Sequence, residues 1–183
     1  MNPLLTNTRH AQPMSTYIRP QIPGATVFFT VALAARGSDL LLREVEALRQ
    51  AVRLTRADRP FLIDDWVVLP DHMHCIWTLP EGDADFSTRM GAIKARFTRS
   101  VSGKVGSGKV GLNPTLRSAS KVRKGEAGLW QRRFWEHHIR NPDDYAAHRH
   151  ACWQDPVRHG LVARAQDWPF SSYHRDNPLA QAA

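Results

Sequence analysis

At 183 residues and 20.7 kDa the chain can bury the core of one domain and hardly that of two. Hydrophobic residues make up 42% and charged residues 23%, which excludes wholesale disorder. Lys and Arg outnumber Asp and Glu by 25 to 17, a net charge of +8 with a pI near 10.2, and so basic a balance points to a polyanion as partner, most simply nucleic acid.

Two cysteines, Cys75 and Cys152, cannot form a disulfide framework and suggest a reducing compartment. The longest apolar run, Val27 to Ala35 with Thr30 inside it, is too short to cross a bilayer, and no membrane partner is expected. No charged start followed by an apolar stretch and a cleavage site is present, so no signal peptide is read.

Residues 1–15 read as a loose polar leader with two prolines among the first thirteen residues, and Met14 as the opening of more structured chain. Ala25 to Leu33, β-branched and aromatic, predicts a strand. Ser38 can cap a helix running to about Thr55, with Leu41, Val45, Leu48 and Val52 as its apolar stripe. Phe61 to Leu69 and Met73 to Leu79 predict two strands joined by Pro70-Asp71 into a hairpin. Phe86 to Val101 predicts a helix with Met90, Ile93 and Phe97 on one face and Lys94, Arg96 and Arg99 outside.

Residues 102–128 are rich in Gly, Ser, Lys and Arg and nearly lack large apolar groups, which predicts a flexible basic loop. Within it, Gly103 to Lys109 approximates a phosphate-binding loop. Val110 stands where Mg²⁺ binding needs Ser or Thr, no strand leads in and no helix pattern follows, so ATP binding is rejected. Leu129 to Arg140 predicts a fourth strand. Asn141-Pro142-Asp143-Asp144 then combines a capping Asn, a Pro at the first helical position and acids in the first turn, a strong start for a helix to about Gln154, before Pro156. The aromatic segment Trp168-Pro169-Phe170 is expected to pack back on the domain, and 176–183 reads as a tail.

The order predicts an α+β fold, a ferredoxin-like βαββαβ antiparallel sheet with helices on one face and an added C-terminal helix. Its chemistry begins at His72 and His74. Residues two apart on a strand share a face, so two imidazoles can hold one divalent ion; the plain alternative is a pair of hydrogen-bonded histidines.

The segment Trp66-Val-Val-Leu-Pro-Asp-His72-Met-His74-Cys-Ile-Trp77 strongly resembles the His-hydrophobic-His motif of the IS200-like tyrosine transposases of the HUH endonuclease type, and most closely their REP-associated relatives. Trp130 to Arg140 is similar to that family's strand before the last helix, Asp155-Pro156-Val157-Arg158-His159-Gly160 to its Asn-Pro-Val-Lys-x-Gly segment, and Trp168-Pro169-Phe170-Ser171-Ser172 to its Trp-Pro-x-Ser-Ser segment. The four ordered motifs span about 16–175, leaving 102–128 as an insertion in one transposase domain.

The resemblance implies a metal-dependent single-stranded DNA endonuclease and strand transferase, acting in DNA transposition, in which a tyrosine on the last helix attacks phosphorus and leaves a 5′-phosphotyrosine link. It implies Mg²⁺ or Mn²⁺ held by His72, His74 and Asp155, a REP-like hairpin or single-stranded DNA as partner, and a cytoplasmic, nucleoid-associated bacterial setting. Insertion-sequence relatives work as dimers exchanging the last helix and REP-associated ones resemble monomers; a monomer is expected, with a dimer left open.

Aligning Asp155-Pro156-Val157 with the family's Asn-Pro-Val puts the nucleophile at Ala151, which cannot attack phosphorus. Tyr145, six residues earlier, is rotated by about 240° from Ala151 on a helix and reads as a packing residue; Cys152, the next residue, points about 100° away. Either the chain is a nucleophile-less form or the register is off and the catalytic group lies elsewhere; the readings left are an enzyme that nicks and rejoins hairpin DNA, a catalytically silent hairpin-binding module and a metal-dependent hydrolase that uses water. Arg96, Arg99, Lys121, Arg123, Lys124, Arg132, Arg133 and Arg140 are the candidate phosphate contacts, and Trp130, Trp135 and Trp153 the candidate stacking faces, with core packing as the alternative for each tryptophan.

Overall fold

Side-chain alternation along four antiparallel strands produces a sheet with two unlike faces. The computed structural model describes residues 20–105 and 128–176. The elements are β1 (Thr26–Ala32), α1 (Leu40–Arg43), α2 (Val45–Asp58), β2 (Leu62–Val68), β3 (His72–Thr78), α3 (Phe86–Val105), β4 (Trp135–His138), α4 (Pro142–Arg158), a 3₁₀ turn (Ala165–Asp167) and α5 (Tyr173–Asp176). The sheet order is β2-β3-β1-β4, every neighbouring pair antiparallel, as a ferredoxin-like βαββαβ core requires.

On one face, Val27, Phe29 and Val31 of β1 and Met73, Cys75 and Trp77 of β3 join Leu48 and Val52 of α2 and Phe86, Met90, Ile93, Phe97 and Val101 of α3 in the main core. The other face carries Phe28, Val67, Leu69 and Ile76, covered by Cys152 of α4 and by Trp168. Helices α2 and α3 thus seal one face and α4 the opposite one. Because β3 alternates, Met73 and Cys75 go to the main core and His72 and His74 to the α4 face.

The chain after α4 closes the β2 edge. Val68 N–H donates to Phe170 O at 2.9 Å, Ser172 N–H to Trp66 O at 2.8 Å and Trp168 Nε1–H to Val68 O at 2.9 Å. The aromatic segment packs back as expected, and an edge that would otherwise invite pairing is covered.

Four element boundaries differ from the sequence expectation. The helix expected from Ser38 to Thr55 is two, α1 and α2, broken at Glu44, and Leu41 N–H there donates to Pro70 O in the β2–β3 turn. Helix α3 runs to Val105, so the first residues of the expected 102–128 loop are helical. The strand expected over 129–140 is interrupted. Between the Leu33–Trp130 bridge and the Thr30–Trp135 pair, β1 advances three residues while its partner advances five, and Arg132 and Arg133 occupy the extra length.

Finally, α4 continues through Pro156 to Arg158. A proline there costs only the bond to the Cys152 carbonyl, and the last turn is closed by His159 N–H to Asp155 O at 2.9 Å. The expected leader, Lys104's side chain, Lys109, Arg117, Lys121, Arg123 and Lys124, and residues 177–183 lie outside what the structure describes.

Candidate metal centre and nucleic-acid interface

The tight β2–β3 turn, in which Leu69 N–H donates to His72 O at 2.8 Å, starts β3 at His72 and fixes the phase of its alternation. Helix α4 is aimed across this face from its own well-made start. Asn141 accepts Asp144 N–H at 2.9 Å, Pro142 follows, and Asp143 and Asp144 complete the first turn. Four turns later it delivers Asp155 to the two imidazoles.

His72 Nε2 lies 3.3 Å and His74 Nε2 3.1 Å from the same oxygen, Oδ2 of Asp155. Each ring is fixed from behind. His72 Nδ1 meets Asp71 Oδ1 at 2.7 Å, and His74 Nδ1 meets Thr30 Oγ1 at 2.9 Å. Asp71 is itself held by Gly37 N–H at 2.7 Å and by Arg36 at 3.3 Å. Gly37 has φ near +77°, a conformation glycine adopts without a Cβ penalty. Such partners on the far ring nitrogen orient histidine ligands and raise their basicity.

All three groups are largely buried. Burial opposes the charge of Asp155, but hydrogen bonds from His72 and His74 outweigh it and hold the carboxyl well below the usual range. Burial also opposes charging of His72, and the Asp155 and Asp71 carboxylates overcome it and raise the imidazole. Two imidazoles and a carboxylate converging on one point, with their outer nitrogens already engaged, fit a divalent ion of intermediate hardness. His159, at the C-cap of α4, adds a further Nε2 at 3.5 Å from Asp155 Oδ2.

Ala151 stands one helical turn before Asp155, and residues four apart share a helix face. The other candidate nucleophiles on α4 are engaged elsewhere. Cys152 is fully buried in the second core cluster, and burial pushes its thiol far up. Tyr145 packs on that cluster with its hydroxyl 3.4 Å from Asp65 Oδ2, and burial pushes its phenol up to about 12. Tyr173, at the start of α5, packs edge-on against Trp153.

The candidate DNA residues separate. Arg96 donates to Thr55 Oγ1 at 2.7 Å and pairs with Asp58, so it ties α3 to α2. Arg99 is exposed on α3, which covers the face opposite His72, His74 and Asp155. Arg132 and Arg133 are exposed beside the start of β4, and Arg140 is exposed at its end, with Nε 2.9 Å from Asp144 Oδ2. Trp130 is buried against Phe97, and Trp153 donates to Asp65 Oδ1 at 3.0 Å, so packing describes both. Trp135 differs: it is 54% exposed. Thr30 pairs with Trp135 on one side and with His74 on the other, so the indole and the His74 imidazole share one row of one face. Two strand spacings separate them, roughly 10 Å.

Sequence reading assigned no role to Asp71, Thr30 or His159, nor to a second cluster, His137, Asp144 and His148, whose candidate ligand atoms lie within 4.8 Å of one another. Asp71 adjoins the His pair and His159 lies inside a quoted motif, so a signal existed for both. Thr30 depends on strand register and left none.

No protein-family profile matches the chain. A REP-associated tyrosine transposase of Escherichia coli K12 is 47% identical over 163 residues, covering 89% of this chain and 85% of that one. A Haemophilus influenzae chain assigned to the same transposase group is 38% identical over 165 residues, covering 89% and 88%. A solved structure of the REP-associated tyrosine transposase bound to a REP hairpin superposes with a TM-score of 0.74 at 47% identity, covering 89% of this chain and 85% of that one. With the sheet order, the paired histidines and the α4 carboxylate in place, identity at this level over nearly the whole chain makes the protein a member of the REP-associated tyrosine transposase family.

Proposed function

We propose that this protein binds REP-like hairpin DNA, with single-stranded flanks, over a divalent-metal centre of His72, His74 and Asp155, and that it does so without forming the covalent link the family resemblance implies. The observation that carries the reading is the α4 stripe: Asp155 reaches both imidazoles at 3.1 and 3.3 Å, and the residue one turn before it is Ala151. The hairpin comes from the likeness to the hairpin-bound transposase structure.

His72, His74 and Asp155 would hold a divalent ion, which would supply Lewis-acid polarisation of a phosphodiester oxygen. The chain's own residues do the rest. Asp71 and Thr30 hold the two imidazoles in the orientation that turns Nε2 toward Asp155. Arg132, Arg133 and Arg140 flank β4 and neutralise phosphates, while the exposed Trp135 offers a stacking face to an unpaired base in the row of His74. At position 151 a methyl group replaces any oxygen that could attack phosphorus, and neither Tyr145 nor Cys152 is available instead.

The test is a labelled REP-type hairpin incubated with the full chain and Mn²⁺, followed by fluorescence anisotropy and by a denaturing gel. Binding with neither cleaved strand nor covalent adduct is the expected result. A covalent adduct would restore the enzyme reading for this chain. Cleavage without an adduct, abolished by His72→Ala, would favour the water-using hydrolase.

A further inference from the structure

We propose that His159 is a fourth donor of the metal centre, and that the resulting set of three imidazoles and one carboxylate selects a transition ion of the Mn²⁺-to-Zn²⁺ series over Mg²⁺. This rests on the reading of His72, His74 and Asp155 as metal ligands and extends it to a residue to which neither the motifs nor the relatives' names assign a role.

The geometry centres on a single atom. Asp155 Oδ2 has three imidazole Nε2 atoms around it, at 3.1 Å from His74, 3.3 Å from His72 and 3.5 Å from His159. His72, Asp155 and His159 offer candidate ligand atoms all within 4.8 Å of one another; His74 is not in that cluster and joins it through Asp155 Oδ2 at 3.1 Å. The His159 ring meets the His72 ring edge to face, with centroids 5.1 Å apart. The helix explains the placement. Ala151, Asp155 and His159 fall at four-residue steps on one stripe of α4, and the stripe stays unbroken because the helix runs through Pro156. Had the helix stopped before Pro156, residue 159 would have no fixed relation to Asp155.

A surface ion pair is the simpler account of a half-exposed histidine near an aspartate. It does not explain why the same oxygen is the focus of two further imidazoles. Ligand chemistry then decides the ion. Mg²⁺ prefers oxygen donors in near-octahedral geometry and keeps several waters, whereas imidazole nitrogens favour later divalent ions.

The second His-Asp-His cluster does not compete as a site. Asp144 Oδ2 already accepts from Arg140 N–H at 3.0 Å and from Arg140 Nε at 2.9 Å, and His148 Nδ1 faces the Asp144 carbonyl at 2.8 Å. A guanidinium hydrogen-bonded to the shared oxygen repels a second cation, whereas at Asp155 the Arg158 guanidinium stays 3.9 Å away and faces the other oxygen, Oδ1, so the second cluster reads as the anchor between β4 and α4.

The experiment uses the chelator-stripped full chain without DNA, titrated calorimetrically with MnCl₂ and separately with MgCl₂, and with CoCl₂ followed by visible absorption. His159→Ala and His159→Asn are compared with His72→Ala, with thermal unfolding as the folding check; His159 is half exposed at a helix end, so both substitutions leave the core untouched. The expected result is one Mn²⁺ per chain, Mg²⁺ at least about tenfold weaker, and a loss of about tenfold or more in Mn²⁺ affinity in both His159 variants with a changed Co²⁺ spectrum. His159 variants that titrate like the wild type, or equal affinity for Mg²⁺ and Mn²⁺, overturn the proposal. If His72→Ala abolishes Mn²⁺ binding while the His159 variants do not weaken it, the three-residue centre stands and only the fourth donor falls. If the wild type takes up no Mn²⁺, both readings fall.

Discussion

At the scale of single residues, the fold places charges where their partners are already fixed. Arg89 shows this away from the metal centre. It is 3% exposed, and it donates to Asp83 Oδ2 at 2.6 Å, to Asp85 O at 2.7 Å and to Pro60 O at 3.0 Å, clasping the start of α3 to the chain before β2. The Arg89 hydrogen bond holds the Asp83 carboxyl below its usual value. A carboxyl depressed in the folded state contributes stability that is present above its unfolded value, about pH 4, and is lost as the pH falls through the folded value. Asp83→Asn should therefore show a shallower fall in thermal midpoint between about pH 5 and pH 3 than the wild type. Equal slopes in a series of melts would remove Asp83 from the account.

Legibility at this scale follows the same division. That His72 and His74 share one face was readable because a strand's period of two needs no tertiary information, whereas Asp155 was singled out only through the family resemblance. Thr30 behind His74 depends on the β1–β3 register, in which Thr30 pairs with His74, and nothing local in the sequence specifies that pairing. Arg96 looked like a free cation and is spent on Asp58 and Thr55, a contact between helices that composition does not reveal.

At the scale of elements, α4 carries the site, and its start governs its aim. Asn141→Ala removes the side-chain acceptor for Asp144 N–H and should cost about 1 kcal/mol, measured by urea unfolding. A cost near zero would mean that Pro142 and the two acids suffice. The α4 start was legible because capping chemistry is local. Its end was not. Proline's general penalty suggested a stop before Pro156, but only two helical residues follow it, so the bend it imposes displaces little chain, and the buried ring stays in the packed face. The break at Glu44 escaped for a different reason. The stripe from Leu41 to Val52 keeps helical spacing across it, so periodicity alone sees one helix, while α1 is held against the β2–β3 turn by Leu41 and Pro70.

At the scale of the whole molecule, the basic excess resolves into surfaces of different use. Arg132, Arg133 and Arg140 are exposed at the two ends of β4, whereas Arg99 lies on the helix that covers the face opposite His72, His74 and Asp155. Hairpin affinity should fall steeply with salt. The double variant Arg132→Gln/Arg133→Gln should weaken binding and reduce the slope of log affinity against log salt by about 1.5, while Arg99→Gln should leave both nearly unchanged. Anisotropy titrations at several salt concentrations check this, and a loss for Arg99→Gln equal to that of the double variant would place the DNA on the wrong side of the sheet. The ferredoxin-like fold class was legible, because four strands and two helices in that chain order leave few compact arrangements.

On the proposed function, α4 aims position 151 at the ion site of His72, His74 and Asp155, and the tyrosine that the family resemblance implies there is replaced by alanine. Ala151→Tyr tests it most directly, in a denaturing gel with labelled hairpin DNA and Mn²⁺. The account expects the variant to form a covalent protein–DNA adduct that the wild type does not form. A folded, hairpin-binding Ala151→Tyr protein that yields no adduct, or a wild-type chain that yields one, would contradict it.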